Sequence, residues 1–193
     1  MRVGRISEES NRILQSLSRT PIYPNDGLEP TELFPLRHQV ESSNSIRLSQ
    51  LPGTTYSFDA IDSSPTDYGF KLLENTMAPK RLELKLNTQV MLIKNLDRDK
   101  VNGSVGKIVG WGEVIRNEIG LMVEVPEIVK DVNGKVIKEI WYPRVRFLNA
   151  LSDFVIRPVE FTVSLPKSKS VYQKESAIEP CRRQIPLVLA WAM

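Results

Sequence analysis

From Asp97 onward the chain has the pattern of many short β-strands with no helical pattern between them. Asn102-Gly103 and Asn133-Gly134 are dipeptides typical of hairpin turns. Around them lie runs rich in β-branched and aromatic residues, at 105–111, 120–125, 136–141, 144–148 and 155–165. Strands at this spacing predict a small antiparallel barrel.

The first half of the chain mixes helical and strand patterns. Ser7 followed by Glu8 and Glu9 predicts a helix start, with the helix running to Leu17. The remaining pattern predicts a weak helix at 37–48, one or two helical turns at 70–77, and strands at 32–36, 56–61, 82–86 and 89–96. The strand at 89–96 is largely apolar and is expected to be buried.

These patterns divide the chain into four parts. An N-terminal helix and a linker rich in Pro, Asn and Gly occupy residues 1–27, and an α/β part occupies 28–96. A barrel insertion, ending in a polar loop at 167–180, occupies 97–180. A return strand at 181–193 belongs to the α/β part and is expected to be truncated, so the predicted fold class is α/β with an inserted small antiparallel barrel.

Composition excludes several classes of site and leaves nucleic-acid binding open. The formal net charge is +3, and the whole surplus lies after residue 96. With Cys181 as the single cysteine and His38 as the single histidine, no zinc site can be built from those ligands, and no metal site or catalytic group is predicted. No apolar run approaches the roughly 18 residues of a membrane span, so no membrane association is expected. His38 is predicted to be a surface helix residue.

One segment resembles a nucleotide-binding loop but lacks its spacing. A P-loop has four residues between its glycines and a Ser or Thr after the lysine. Here two residues separate Gly103 from Gly106, and Ile108 follows Lys107. The segment is therefore predicted to be a hairpin turn, and no other stretch has a nucleotide-binding fingerprint.

Basic residues beside aromatic ones suggest single-strand binding, in which cations contact phosphates and rings stack on bases. Two clusters fit: Trp141, Tyr142, Arg144, Arg146 and Phe147; and Trp111 with Lys107 and Arg116. The alternative is that the aromatic rings fill the barrel core while the charges face solvent. The alternative is favoured for the aromatic residues, and the role of the charges stays open.

Three stretches resemble the Pif family of DNA helicases in sequence, order and separation. They are LEPTELFPLRHQVESSNSIRLSQLPG at 28–53, RLELKLNTQVMLIKNLDRDKVNGSVGKIVGW at 81–111, and RRQIPLVLAWAM at 182–193. The first is similar to the opening of the family's second RecA-like motor domain. The second resembles the run into an inserted Src-homology-3-like barrel. One departure is Asn87, where the family usually has Gly.

The resemblance implies an ATP-driven, 5′-to-3′ DNA helicase that uses ATP and Mg²⁺ and moves along single-stranded DNA. The P-loop and the acidic residues that hold Mg²⁺ do not occur in this sequence, so the chain alone is expected not to hydrolyse ATP. The resemblance places Arg37 near nucleotide or DNA phosphate. It places the turn of Asn102 and Gly103, together with Lys107, near the DNA track. The basic cluster adds Arg144 and Arg146.

The leading hypothesis is therefore a fragment of a Pif-family helicase that serves DNA repair, recombination and telomere maintenance in the nucleus or mitochondrion. No specific protein partner can be inferred. Two alternatives stay open: a stand-alone module that binds nucleic acid or protein, and a truncated relic without function.

Overall fold

The computed structural model describes residues 6–18, 27–148, 150–164 and 179–193, and across these ranges the chain is mostly sheet with three helices. The helices are α1 (Glu8–Ser16), α2 (Arg37–Gln50) and α3 (Asp67–Leu73). The strands of the first half are β1 (Tyr56–Asp59), β2 (Ile61–Ser63), β3 (Arg81–Leu84) and β4 (Gln89–Leu92). Those that follow are β5 (Val105–Trp111), β6 (Glu113–Arg116), β7 (Met122–Val125), β8 (Glu127–Lys130), β9 (Val136–Ile140), β10 (Pro143–Phe147), β11 (Phe154–Val155), β12 (Val159–Thr162), β13 (Cys181–Gln184) and β14 (Leu187–Leu189).

Helices α1 and α2 form where their local signals predict. The Ser10 N–H donates to Ser7 Oγ at 3.2 Å and caps α1, whose first turn carries two glutamates. Helix α2 begins at Arg37 and buries Asn44 and Leu48. The Asn44 side chain both donates to the carbonyl and accepts from the N–H of Ala192, at 3.0 Å each. This pair of bonds fixes α2 against the last residues of the chain.

A five-stranded antiparallel sheet, in the order β11-β10-β5-β4-β14, holds the main core. Its buried residues include Val90, Leu92, Ile108, Val145 and Leu187. Strand β4 pairs with β5 on one side and β14 on the other, which confirms that it is a buried interior strand. The predicted boundary at 96/97 falls in the β4–β5 connection, so one sheet runs across it.

A second sheet has the strand order β12-β13-β2. The buried Arg182 joins it to the loop between α3 and β3. Arg182 on β13 forms a two-pronged ion pair with Asp62 on β2, at 2.7 and 2.8 Å. Its remaining nitrogen, Nη1, donates to the carbonyl of Ala78 at 2.8 Å and to Thr76 Oγ1 at 3.2 Å. Because each of its three nitrogens donates at least one hydrogen bond, the guanidinium can be buried at a reduced desolvation cost.

Two hairpins, β6–β7 and β8–β9, pair only within themselves among the described residues. The side chains of β6 and β8 are exposed on both faces of the strand. Arg157 joins the two hairpins at their first residues, through Glu113 at 2.9 Å and Glu127 at 2.7 Å. The hairpins therefore project from the sheet and bury little apolar surface.

The structure departs from the sequence prediction in several places. Strands β6 and β8 were not predicted, the predicted strand at 155–165 is divided into β11 and β12, and α3 begins three residues before the predicted helical turns. Residues 32–36 form only an isolated parallel bridge, between Glu32 and Ala192. The predicted linker at 21–26 and most of the polar loop at 167–180 lie outside the described residues.

The described residues include no helix that is long and apolar enough to cross a membrane.

Candidate nucleic-acid interface

Lys107 and Arg146, two of the predicted site residues, lie opposite each other on neighbouring strands. They are direct partners in the β5–β10 register, so their side chains share one face of the sheet. Both line a cleft of about 420 Å³. Its other lining residues are Leu28, Asn87, Val109, Phe147, Leu148 and Ala150. The cleft thus combines two cations and one carboxamide with five apolar side chains.

The two cations are held differently. Lys107 Nζ donates to the carbonyl of Gly27 at 3.2 Å, which leaves the ammonium two further N–H donors. Arg146 forms a two-pronged pair with Asp153, at 2.7 and 3.1 Å, and this pairing raises the pKa of the guanidinium. The Arg146 side chain is 65% exposed, and its Nη1 has no partner within the described ranges. Asp153 therefore orients Arg146 and leaves one nitrogen open to solvent.

Arg144, in contrast, is committed to the protein. Its side chain is only 12% exposed and is paired with Glu124, and its Nε lies 3.9 Å from Asp153. Gly110 makes room for it, because a Cβ at that position would lie 2.1 Å from Arg144 Nη2. Arg144 thus fixes β7 to the sheet, and a DNA contact through it would require breaking these pairs.

The turn at Asn102 and Gly103 does not present free backbone donors. The Asn102 N–H donates to Asn95 Oδ1 at 2.7 Å, and the Gly103 N–H donates to the Leu92 carbonyl at 2.8 Å. Gly103 has φ +90° as the third residue of the turn that Ser104 closes on Val101, so this is a type II turn inside a longer loop. The expectation that its N–H groups bind phosphate fails for this reason, and a DNA contact by Asn102 would have to use its side chain.

The same hydrogen bonds show where the P-loop-like segment, Gly103 to Lys107, lies in the fold. Gly103 lies in the turn, and Gly106 and Lys107 are paired residues of β5. The position of Gly103 agrees with the turn predicted at Asn102-Gly103, and the absence of a nucleotide-binding loop stays a prediction from the sequence.

Arg37 lies apart from the cleft. It is the exposed first residue of α2 and has no ion-pair or hydrogen-bond partner among the residues described. It lines an open groove of about 770 Å³, whose lining residues include Val40, Lys80, Met91 and Val188. This groove shares no lining residue with the Lys107–Arg146 cleft. The predicted site residues therefore form two separate groups.

The aromatic residues of the predicted clusters belong to the core. Trp111 and Phe147 are 8% and 4% exposed, and Trp111 stacks on Tyr56 with ring centroids 3.9 Å apart. Trp141 is half-buried and packs against the same core. The interpretation that the rings fill the core is confirmed for Trp111 and Phe147, which are therefore not available to stack on bases, whereas Trp141 and Tyr142 are partly buried. His38 is exposed on α2, as predicted.

Two residues of the site were not predicted from sequence. Asp153 orients Arg146, and Asn87 lines the cleft in a left-handed conformation with φ 69°. Asn87 carried a signal, because it replaces a residue that is usually Gly in the family the chain resembles. Asp153 carried none, since its role depends on the pairing of β10 with β11.

Comparison with known proteins agrees with this description. The family model "DNA helicase Pif1, 2B domain" matches residues 68–111. A relative from Emericella nidulans, "ATP-dependent DNA helicase PIF1", is 32% identical over 221 aligned positions that include all of this chain. The crystal structure of Pif1 helicase from Candida albicans superposes on 98% of this chain with a TM-score of 0.67 and 27% identity. The chain belongs to the Pif helicase family.

This Pif-family chain covers only part of its relatives. It spans 28% of the Emericella nidulans helicase and 41% of the Candida albicans chain. A Bacteroides Pif1 helicase, solved in complex with ADP-AlF3 and single-stranded DNA, shares the fold over 97% of this chain and 35% of its own, with a TM-score of 0.59 and 16% identity. The activity and ligands of those longer proteins are therefore not established for this segment.

Proposed function

We propose that this chain is the part of an ATP-dependent, 5′-to-3′ Pif-family DNA helicase that holds single-stranded DNA in the Lys107–Arg146 cleft. In this proposal it combines part of the second RecA-like domain, at 28–96 and 181–193, with a Src-homology-3-like barrel insertion at 97–180. The complete helicase would act in the nucleus or mitochondrion, in repair, recombination and telomere maintenance. ATP and Mg²⁺ would bind to the complete helicase.

The observation that carries the proposal is the cross-strand pair of cations beside an apolar wall. Lys and Arg side chains that follow a backbone, with little base-specific contact, are what non-specific single-strand binding requires. Arg146 is already oriented by Asp153, so little side-chain entropy is lost when a phosphate meets its open nitrogen. The relatives are ATP-dependent DNA helicases and the Bacteroides protein was solved with single-stranded DNA, which supports the choice of ligand.

The proposal is tested by fluorescence anisotropy with a labelled oligo-dT at several salt concentrations between about 50 and 200 mM. Wild-type protein should bind with a negative salt slope. The double variant Lys107→Ala/Arg146→Ala should bind more weakly, and its slope should be smaller by about 0.7 for each phosphate that is no longer neutralised. Absence of binding by folded wild-type protein would refute the proposal.

A matched control separates the cleft from general charge. Lys71→Ala/Lys138→Ala removes the same number of positive charges from exposed positions on α3 and β9 that do not line the cleft. It should leave the affinity and the salt slope close to wild type. Equal reductions of affinity in the two double variants would show that binding follows net charge alone.

The proposal also states that this segment does not hydrolyse ATP by itself, because its sequence holds no P-loop. Phosphate release should not exceed that of a heat-inactivated sample, with or without oligo-dT. Measurable hydrolysis that depends on added Mg²⁺ would refute this part. The alternative of a truncated relic without function predicts that a sample with a cooperative thermal transition still binds no oligonucleotide.

A further inference from the structure

Asn87 occupies a backbone position that seldom carries a side chain. It is the third residue of a four-residue turn that the Thr88 N–H closes on the Lys85 carbonyl at 3.2 Å. Its φ of 69° is the positive value that a type II turn requires at this position, where Gly is usual and Asn is the next most tolerated residue. The turn thus displays a carboxamide where a glycine would display nothing.

The carboxamide is available to a ligand. The backbone N–H of Asn87 is already used, because it donates to the Ile108 carbonyl at 2.9 Å. The side chain is exposed and has no partner among the described residues. It lines the same cleft as Lys107 and Arg146, and the bond to Ile108 fixes the turn directly onto β5. The backbone that carries this amide donor and acceptor is therefore held at a fixed place in the wall of the cleft.

The cleft's size and its two kinds of wall fit one nucleotide. Its volume of about 420 Å³ lies within the range of pockets that hold small ligands. Lys107 and Arg146 offer donors to a phosphate. Val109, Leu148 and Ala150 offer an apolar surface to the face of a base. In single strands the edges of a base are unpaired, so a side-chain amide can reach them.

We propose that this cleft binds one nucleotide of single-stranded DNA, with the phosphate on Lys107 and Arg146 and the edge of the base on the Asn87 carboxamide. The inference rests on the proposed single-strand binding and adds base discrimination to it. An Asn carboxamide pairs with adenine through N6 and N7, since it donates to one and accepts from the other. The preferred base at this position is therefore adenine.

The substitution that tests the inference is Asn87→Gly. Glycine adopts positive φ without a steric penalty, so this change removes the carboxamide and keeps the turn. Asn87→Ala would strain the turn as well and is less informative. Asn133→Gly is the matched control, because it removes an exposed carboxamide from the β8–β9 loop, which does not line the cleft.

The measurement is the ratio of affinities for oligo-dA and oligo-dT of equal length, by competition anisotropy. Wild type and Asn133→Gly should prefer oligo-dA by at least about fivefold. Asn87→Gly should lose most of that preference, because its affinity falls more for oligo-dA than for oligo-dT, and its salt slope should stay close to that of wild type. A second readout is the Asn87 side-chain amide resonance, assigned by its absence in Asn87→Gly. It should shift on titration with oligo-dA and much less with oligo-dT.

The outcomes separate this inference from the proposed function. Salt-dependent binding without base preference, or a preference that Asn87→Gly retains, overturns the role of Asn87 and leaves single-strand binding intact. No binding to any oligonucleotide overturns both. A fall in oligo-dT affinity in Asn87→Gly as large as in Lys107→Ala/Arg146→Ala would show that the turn shapes the cleft and does not read the base.

Discussion

Two arginine–aspartate pairs in this chain have nearly the same geometry and opposite environments. Arg182 meets Asp62 through Nε and Nη2 at 2.7 and 2.8 Å, and Arg146 meets Asp153 through the same two nitrogens at 2.7 and 3.1 Å. The Arg182 side chain is 3% exposed, whereas that of Arg146 is 65% exposed. The difference lies in what surrounds each pair.

The two guanidinium groups also differ in the hydrogen-bond partners of their third nitrogen, Nη1. Nη1 of Arg182 donates to Ala78 and Thr76, so all three nitrogens of this buried guanidinium are bonded within the protein. Nη1 of Arg146 has no partner within the part of the chain that is described, and it lies at a cleft. Removing one partner of a buried ion pair destabilises the fold, whereas an oriented, exposed arginine is suited to binding an anion. The four predictions below test this contrast through stability.

The largest expected effect is that of Arg182→Ala. Removal of the guanidinium leaves the Asp62 carboxylate and the Ala78 carbonyl without their donor, and breaking a buried pair from one side costs roughly 3–5 kcal/mol. The free energy of unfolding from urea titrations measures this destabilisation. Arg183→Ala is the control, because Arg183 is the exposed next residue of β13. A destabilisation below about 1 kcal/mol for Arg182→Ala would contradict the assignment.

A smaller effect on the free energy of unfolding is expected when pH is lowered and Asp62, the partner of Arg182, is protonated. The hydrogen bond from Arg182 holds the pKa of Asp62 below its ordinary value, although burial opposes it. Because the folded state lowers this pKa, the stabilisation is present above the unfolded pKa of about 3.9 and is lost as pH falls below it. Unfolding free energies between about pH 7 and 3 should therefore fall less steeply at the acid end for Asp62→Asn than for wild type. Identical acid limbs would exclude a contribution from Asp62.

The exposure of the Arg157 side chain is intermediate between those of Arg182 and Arg146. It joins Glu113 and Glu127 at the bases of the two hairpins, and its side chain is 48% exposed. Exposed ion pairs contribute about 0–1 kcal/mol each, so Arg157→Ala should lower stability by about 1 kcal/mol or less. The sharper readout is hydrogen exchange, which should accelerate in β6–β9 and stay unchanged in β5. Arg116→Ala is the control, because it removes an exposed arginine of β6 and should leave hydrogen exchange unchanged both in β6–β9 and in β5.

The elements that could be predicted from sequence are those whose signals lie within a short stretch of the chain. Helix α1 follows from its local capping residues, and β4 from its apolar run, because both signals lie within a few residues. Strands β6 and β8 were missed because both of their faces are exposed, so they lack the alternation that marks a half-buried strand. Asn102-Gly103 has turn chemistry, but its loop is closed by longer-range bonds and it does not form a two-residue hairpin turn.

The candidate site was predictable as a set of residue types and not as an arrangement. Lys107 and Arg146 were identified as cations beside aromatic residues, and their being partners follows from a β5–β10 register that only the folded sheet sets. The low exposure of Arg144 and its ion pairs with Glu124 and Asp153 are likewise set by the fold, and a role for Arg144 in DNA binding stays a prediction. Whether a basic side chain is paired within the protein or accessible to a ligand depends on residues distant in sequence, so composition does not indicate which.

The smallest expected effect on stability is that of Arg146→Ala, although this arginine has the same aspartate geometry as Arg182. Its pair with Asp153 is solvated, and an ion pair in water contributes little because both groups are nearly as stable when hydrated. The urea midpoint should therefore match wild type within error, while affinity for oligo-dT falls. Arg146→Lys should restore part of the affinity through charge and not all of it, because the ammonium cannot hold the two-pronged pair that orients the guanidinium. A fall in the unfolding midpoint as large as that of Arg182→Ala would show that the cleft arginine is a structural residue.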